Sequence, residues 1–415
     1  MSKTCIVIGA SHAGSQLALS LRQEGWEGPI LLIGEESVLP YQRPPLSKSF
    51  LSGAKSVEEL YIRPKALYEK QQVEVLLNSR VTHIDGDNKS LTYVKDGEEK
   101  TLQYDKIALC TGAHPRHLSI PGSELEGIHY LRTLNDVEKI RSDLEKVQSH
   151  KSALNGVIVG GGYIGLETAA MLNAMGHQMT VLEAMPQLLS RVAAPEIGKF
   201  YNDLHQAHGV DIRTECHVNG FTEHGDRVEA VVLSDGSKID ADFVIVGIGV
   251  QVNGELADQL QLKQENGIVV DNLMHTSNAD VVAAGDCTRF HNDTFGSLRL
   301  ESVPNATEQA KTAAASLCNK EKPYHALPWF WSDQYDCKLQ IAGISAGYTD
   351  IVVRGVSQVV KDEKPSFSVF YFSDDKLIAA DCINRPKDFM FAKRWLTDKT
   401  IIDKTTLADD DMPLS

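Results

Sequence analysis

A short apolar strand that ends in glycine and turns straight into a helix leaves a chain few folds to adopt, and this chain carries the pattern twice. Residues 4–14 read TCIVIGASHAG, and residues 156–167 read GVIVGGGYIGLE. In each copy an apolar run is followed by a helix-period pattern, over 13–23 and 164–175. A second apolar strand then follows, at Ile30–Ile33 and at 179–182. That is a βαβ unit of the dinucleotide-binding kind. Its first glycine allows the tight turn, the second lets the backbone approach a pyrophosphate, and the third lets helix and strand pack closely. The later copy has all of these, Gly160, Gly162 and Gly165, with Glu183 at the position where an acidic side chain takes ribose hydroxyls. The earlier copy has Gly9 and Gly14, Ser11 in the middle place and Glu35 at the acidic position. Taken alone, it reads equally as a cofactor loop or as a glycine-rich turn with no ligand.

The two copies together suggest a flavin opposite a nicotinamide. A nicotinamide delivers two electrons as a hydride, whereas a flavin accepts two and releases them singly. The destination of the electrons is narrowed by the cysteines. There are 7, at positions 5, 110, 216, 287, 318, 337 and 382, with no CxxC spacing. They read as isolated, reduced thiols, so neither a redox-active dithiol nor an iron-sulfur cluster is encoded, and the acceptor is expected to be another molecule. A net charge of -15 argues against a nucleic acid as the main partner. No apolar run is long enough to span a bilayer and no signal-peptide pattern opens the chain, which makes the cytoplasm the expected compartment. At 415 residues there is room for two or three domains. After Pro323 the texture changes to aromatic-rich alternation, which predicts an antiparallel sheet.

Beyond the glycine turns, the segments PYQRPPLSKSFLSG, YLRTLND, VIVGIGV, VVAAGDCTRFH, ESVPNATEQA and PWFWSDQY follow one another in order. With VIGASHAG and VGGGYIGLETAAML they make nearly the whole chain resemble the FAD-dependent NADH:ferredoxin reductases of bacterial oxygenase systems. That family includes putidaredoxin reductases, rubredoxin reductases and the reductase components of dioxygenases. The resemblance implies a glutathione-reductase-like α/β fold with two Rossmann-type dinucleotide-binding domains and a C-terminal α+β interface domain. Its expected boundaries are 1–110 and 241–322 for a divided FAD domain, 111–240 for the NAD domain and 323–415 for the interface domain.

It also implies roles for matched positions. FAD is expected along Gly9, Ala13 and Gly14, with Glu35 on the adenosine ribose. Arg43, Lys48, Val81 and Arg132 line the cofactor, and Asp286 holds the ribityl chain. Val303 touches the flavin through its backbone, ahead of a helix over 306–317. NADH is expected on Gly160, Gly162, Gly165, Glu183 and Gly249. Lys48 and Glu167 are the candidate pair for the hydride step. Two readings stand for Lys48, a flavin neighbour or a solvated loop lysine, and two for Trp331, a flavin cover or sheet core. Arg289, Arg299, Lys387, Lys393 and Arg394 are either a docking face or solubilising charges. The implied partner is a two-iron two-sulfur ferredoxin, with monomer and homodimer both open. A rubredoxin reductase, and a flavin-bearing signalling protein of the apoptosis-inducing-factor type, are the alternatives.

Overall fold

The computed structural model describes residues 3–148, 151–360 and 363–414. The chain divides into two units. The first comprises Met1–Gln42, Val57–His114 and Gln251–Pro328, and the second Arg43–Ser56, Pro115–Val250 and Trp329–Ser415.

The first unit is built on a parallel sheet whose strands run in the order Val281–Ala283, Lys106–Leu109, Cys5–Ile8, Ile30–Ile33, Val73–Leu76. Central parallel strands are covered on both faces, which is why Cys5–Ile8 is a continuous buried run instead of an alternating one. Helix His12–Gln23 packs beside helix Val303–Leu317. The second helix starts three residues before the expected 306, because the Ser302 hydroxyl caps the Asn305 N–H and Pro304 fits the first turn.

The second unit repeats the arrangement. Its parallel sheet runs Asp211–Arg213, Gln178–Leu182, Asn155–Val159, Phe243–Val246, Ile128–Tyr130. The expected division at 240/241 therefore cuts through this sheet. Phe243–Val246 pairs in register with Asn155–Val159 and buries four apolar side chains there, so the chain leaves the sheet only after it. The loop 43–56, expected with the first domain, also groups with the second unit. The predicted C-terminal antiparallel sheet is present, in the order Trp329–Gln334, Cys337–Gly343, Lys376–Ile383, Ser366–Ser373, Asp350–Val356, followed by helix Pro386–Asp398.

Candidate active site

In the second unit the three glycines of the 160–165 turn do three separable jobs. Gly160 has φ +114°, and a Cβ there would lie 2.4 Å from the Gly247 carbonyl oxygen. A Cβ on Gly165 would lie 2.2 Å from the Gly160 oxygen, so that glycine is demanded by helix-strand packing. A Cβ on Gly162 would meet no protein atom within 4 Å. Nothing in the protein requires glycine at 162, which fits a turn kept bare for the close approach of a diphosphate. The helix that follows, Tyr163–Ala174, has no acidic residue in its first turn, so its free N–H groups and dipole are available to an anion. Glu183 closes the next strand, where its carboxylate accepts from the backbone N–H of Gly161 at 2.7 Å and of Met185 at 2.8 Å. Gly249, also assigned to this nucleotide, has φ +100° with open space at its Cβ position.

The first unit repeats the device with one change. Gly9 has φ +109°, a Cβ there would sit 2.1 Å from the Cys110 oxygen, and one on Gly14 would sit 1.9 Å from the Gly9 oxygen. Between them Ser11 is extended, with φ -128° and ψ -154°, and Gly162 is also extended, at φ -84° and ψ 175°. The middle position thus asks for space and not for a glycine backbone, and Ser11 occupies it without strain. The Gly285–Asp286 turn is drawn against this loop: a Cβ on Gly285 would lie 3.1 Å from that of Ala13 and 3.7 Å from that of Ala306. Gln309 fixes the turn by accepting from the Gly285 N–H at 2.8 Å and from the Thr288 hydroxyl at 2.8 Å. Gly9, Ala13, Gly14, Asp286 and the start of the Val303 helix are so brought to one region, with a helix N-terminus free of acidic residues beside it. Glu35 is exposed at the strand end, with the Arg80 side chain 3.9 Å away, and Val81 is buried on the adjoining strand Ser79–Asp85.

The loop 43–56 carries the basic residues. Pro44–Ser47 forms one 3-10 turn with proline in its first positions, and the Lys48 N–H closes it onto the Pro45 carbonyl. This stiff turn aims Lys48 at Glu167, which stands one helical turn beyond Tyr163 on the Tyr163–Ala174 helix. Lys48 Nζ and Glu167 Oε2 form an ion pair, and the side chains are only 19% and 6% exposed. Lys48 is therefore no solvated loop lysine. Ser47 donates to Glu167 Oε2 at 2.7 Å and Ser332 donates to Oε1 at 2.7 Å, so both carboxylate oxygens are engaged. In the same unit Arg43 donates to the Arg132 carbonyl at 2.7 Å. Thr133 and Asp136 form a reciprocal cap at the start of helix Leu134–Gln148 and hold that carbonyl in place.

Sequence reasoning missed Ser47, Ser332 and Gln334. The signal was available: in WFWSDQ, strand alternation puts Ser332 and Gln334 on the same face as Phe330, both are buried there, and two polar residues on a buried face require partners. Trp331 lies on the opposite face, partly exposed, its ring centroid 5.7 Å from that of Trp329. The basic candidates separate. Arg299 is mostly covered and pairs with Glu301 at 2.6 Å, and Arg289 stands 3.9 Å from Glu265, so neither offers an uncompensated cation. On helix Pro386–Asp398, Lys387 and Arg394 are exposed, and Lys393 Nζ lies 4.9 Å from the centre of the Trp329 ring.

Known proteins resemble this chain along nearly its whole length. Residues 3–310 match the model of the pyridine nucleotide-disulphide oxidoreductases, and residues 329–415 match that of the reductase C-terminal domain. Putidaredoxin reductase CamA of Pseudomonas putida is 41% identical, over 99% of this chain and 95% of that protein. The 5,5'-dehydrodivanillate O-demethylase ferredoxin reductase subunit of Sphingobium sp. is 39% identical, over 99% and 97%. Among solved structures, the reductase in the covalent putidaredoxin reductase-putidaredoxin complex superimposes with a TM-score of 0.92 at 40% identity, covering 99% of this chain and 97% of that one. The chain belongs to the pyridine nucleotide-disulphide oxidoreductase family, as an FAD- and NAD(H)-dependent oxidoreductase that carries the reductase C-terminal domain.

Proposed function

We propose that this protein takes a hydride from NADH onto FAD and passes the electrons one at a time to a two-iron two-sulfur ferredoxin that serves an oxygenase. The observation that carries the reading is the shielded Lys48 and Glu167 ion pair on the helix that opens at the 160–165 glycine turn. FAD, when bound, supplies the conversion between hydride and single electrons. The protein's own residues do the rest. Gly9, Ala13, Gly14, Glu35, Val81, Asp286 and Val303 hold the flavin nucleotide, with Arg43, Arg132 and Trp331 as further contacts. Gly160, Gly162, Gly165, Glu183 and Gly249 hold NADH. Lys48 and Glu167 orient the nicotinamide and offset the charge that moves as the hydride is transferred. Because both oxygens of Glu167 are already held by Ser47 and Ser332, little reorganisation of the carboxylate accompanies the step.

Relatives named for ferredoxin and putidaredoxin support the choice of acceptor. A chain of net charge -15 docks an acidic carrier through a local basic face, and helix Pro386–Asp398 with Lys387, Lys393 and Arg394 is the best candidate. Stopped-flow reduction of the flavin-loaded Lys48→Ala variant by NADH tests the hydride step. The rate is expected to fall far more than flavin retention, and a wild-type trace would return Lys48 to a structural role. Turnover with a panel of ferredoxins and rubredoxins tests the acceptor. Preference for a rubredoxin would replace the partner and leave the mechanism intact.

A further inference from the structure

Glu167 is the end of a buried chain of hydrogen bonds whose direction follows from chemistry. The Ser332 hydroxyl lies 2.7 Å from Glu167 Oε1, and a carboxylate only accepts, so Ser332 donates. Its oxygen is then free to accept from the Gln334 amide nitrogen at 3.2 Å. That assignment turns the amide oxygen toward His205 Nε2, at 2.9 Å, and an oxygen acceptor there requires the proton on Nε2. His205 Nδ1 is left as an acceptor and faces the Tyr335 hydroxyl at 3.4 Å. Tyr335, Gln334 and Ser332 on the strand side and His205 from helix Pro195–Ala207 are thus threaded in one direction. Every donor points toward Glu167.

The geometry that makes this possible is a match of two repeats. Tyr163 and Glu167 are four residues apart on a helix, a rise of about 6 Å, and Phe330 and Ser332 are two apart on a strand, a rise of about 6.7 Å. Tyr163 meets Phe330 with ring centroids 5.2 Å apart, and the next step of each element brings Glu167 to Ser332. Ser332, Gln334 and His205 are 0%, 1% and 0% exposed. Burying polar side chains costs stability unless they are hydrogen-bonded, and a buried network whose members satisfy one another rigidifies a single arrangement. Burial, together with the neighbouring His208, pushes the His205 imidazole down to about 4 against the opposing hydrogen bond to Gln334, so the ring is neutral at working pH. An amide at the centre of the chain passes no proton without tautomerising. The chain therefore orients and polarises; it does not conduct.

We propose that Ser332, Gln334 and His205 are positioning residues for the hydride step, a one-way donor chain that holds the Glu167 carboxylate in a single orientation against Lys48. This rests on the assignment of Lys48 and Glu167 to that step. Two experiments test it. In holoenzyme labelled with 15N-histidine, the His205 signal, identified by its loss in His205→Gln, is expected to report a neutral ring protonated on Nε2. A ring protonated on Nδ1, or a charged ring at neutral pH, overturns the chain whatever the activity. In stopped-flow, Ser332→Ala is expected to slow flavin reduction by about tenfold, the worth of one hydrogen bond to a charged group, and Gln334→Leu, which removes a neutral bond to Ser332, by about fivefold. The NADH dissociation constant should stay near wild type, and Ser332→Thr should recover the rate. On a Glu167→Gln background, Gln334→Leu should add less than about twofold, because its route of action is gone. Independent, multiplying effects would show that Gln334 acts elsewhere and overturn the proposal. If Glu167→Gln alone leaves flavin reduction unchanged, the assignment of the ion pair itself fails, and the proposal with it.

Discussion

Glu183 is the residue expected to set the choice between NADH and NADPH, and the size of its effect can be worked out. Its carboxylate is not a free tail: both oxygens are tied to backbone N–H groups, of Gly161 at 2.7 Å and Met185 at 2.8 Å. Swinging away from an incoming 2'-phosphate would forfeit both bonds. No basic residue lies among positions 184–187, and the Arg213 guanidinium on the adjoining strand is engaged by Asp211 at 2.8 Å. Two unit charges about 5 Å apart at an effective dielectric of about 20 repel by roughly 3 kcal/mol. The second phosphate charge raises this and the partial exposure of Glu183 lowers it, which leaves a discrimination on the order of a hundredfold. Glu183→Ala should lower kcat/KM for NADH by about tenfold through the lost ribose bonds and raise that for NADPH, bringing the ratio near unity. Steady-state ferricyanide reduction with each nucleotide measures both. Wild-type enzyme of equal efficiency with the two nucleotides, or a Glu183→Ala variant with the wild-type ratio, would refute the reasoning.

The glycine turn should separate binding from folding. Gly162→Ala is expected to fold and melt like wild type while binding NADH about tenfold more weakly, whereas Gly165→Ala, whose Cβ would lie 2.2 Å from the Gly160 oxygen, should lower the melting temperature as well; equal melting losses in both would count against the division of labour. Asp381, wholly buried, has its carboxyl pushed up from the ordinary 3.8 to about 7 by burial, against the hydrogen bond from Tyr371. Its neutral form favours the fold, so this contribution is complete below about pH 4 and is lost as pH rises through 7, by an amount on the order of 4 kcal/mol. Asp381→Asn should therefore gain stability relative to wild type between pH 5 and pH 8, and a difference that does not vary with pH would sink the argument. Charge reversal at Lys393 and Arg394 should slow cytochrome c reduction through ferredoxin at low salt and spare ferricyanide turnover, with the gap closing as salt rises. Reversal at Arg289 and Arg299, which stand beside Glu265 and Glu301, should do less.

The two βαβ openings were legible from the chain because strand, turn and helix are local structures, and glycine marks the positions where a Cβ cannot go. Gly9, Gly14, Gly160 and Gly165 each prove to stand where a side chain would strike a backbone oxygen. Segment order carried the family, and with it Lys48 and Glu167 as a pair, although 119 positions apart. What local pattern could not carry was the assignment of Phe243–Val246 to the second sheet. Parallel pairing joins strands far apart in sequence, and an apolar run of four residues looks alike in either sheet. Nor could it show which charges are spent: Arg299 and Lys393 are alike as letters, and only the fold sets one on a glutamate and the other over a tryptophan ring. The setting of the ion pair was likewise decided in three dimensions. Glu167 gained Ser332, Gln334 and His205 because a helix step of four residues and a strand step of two cover nearly the same distance, a coincidence of two geometries that neither segment contains alone.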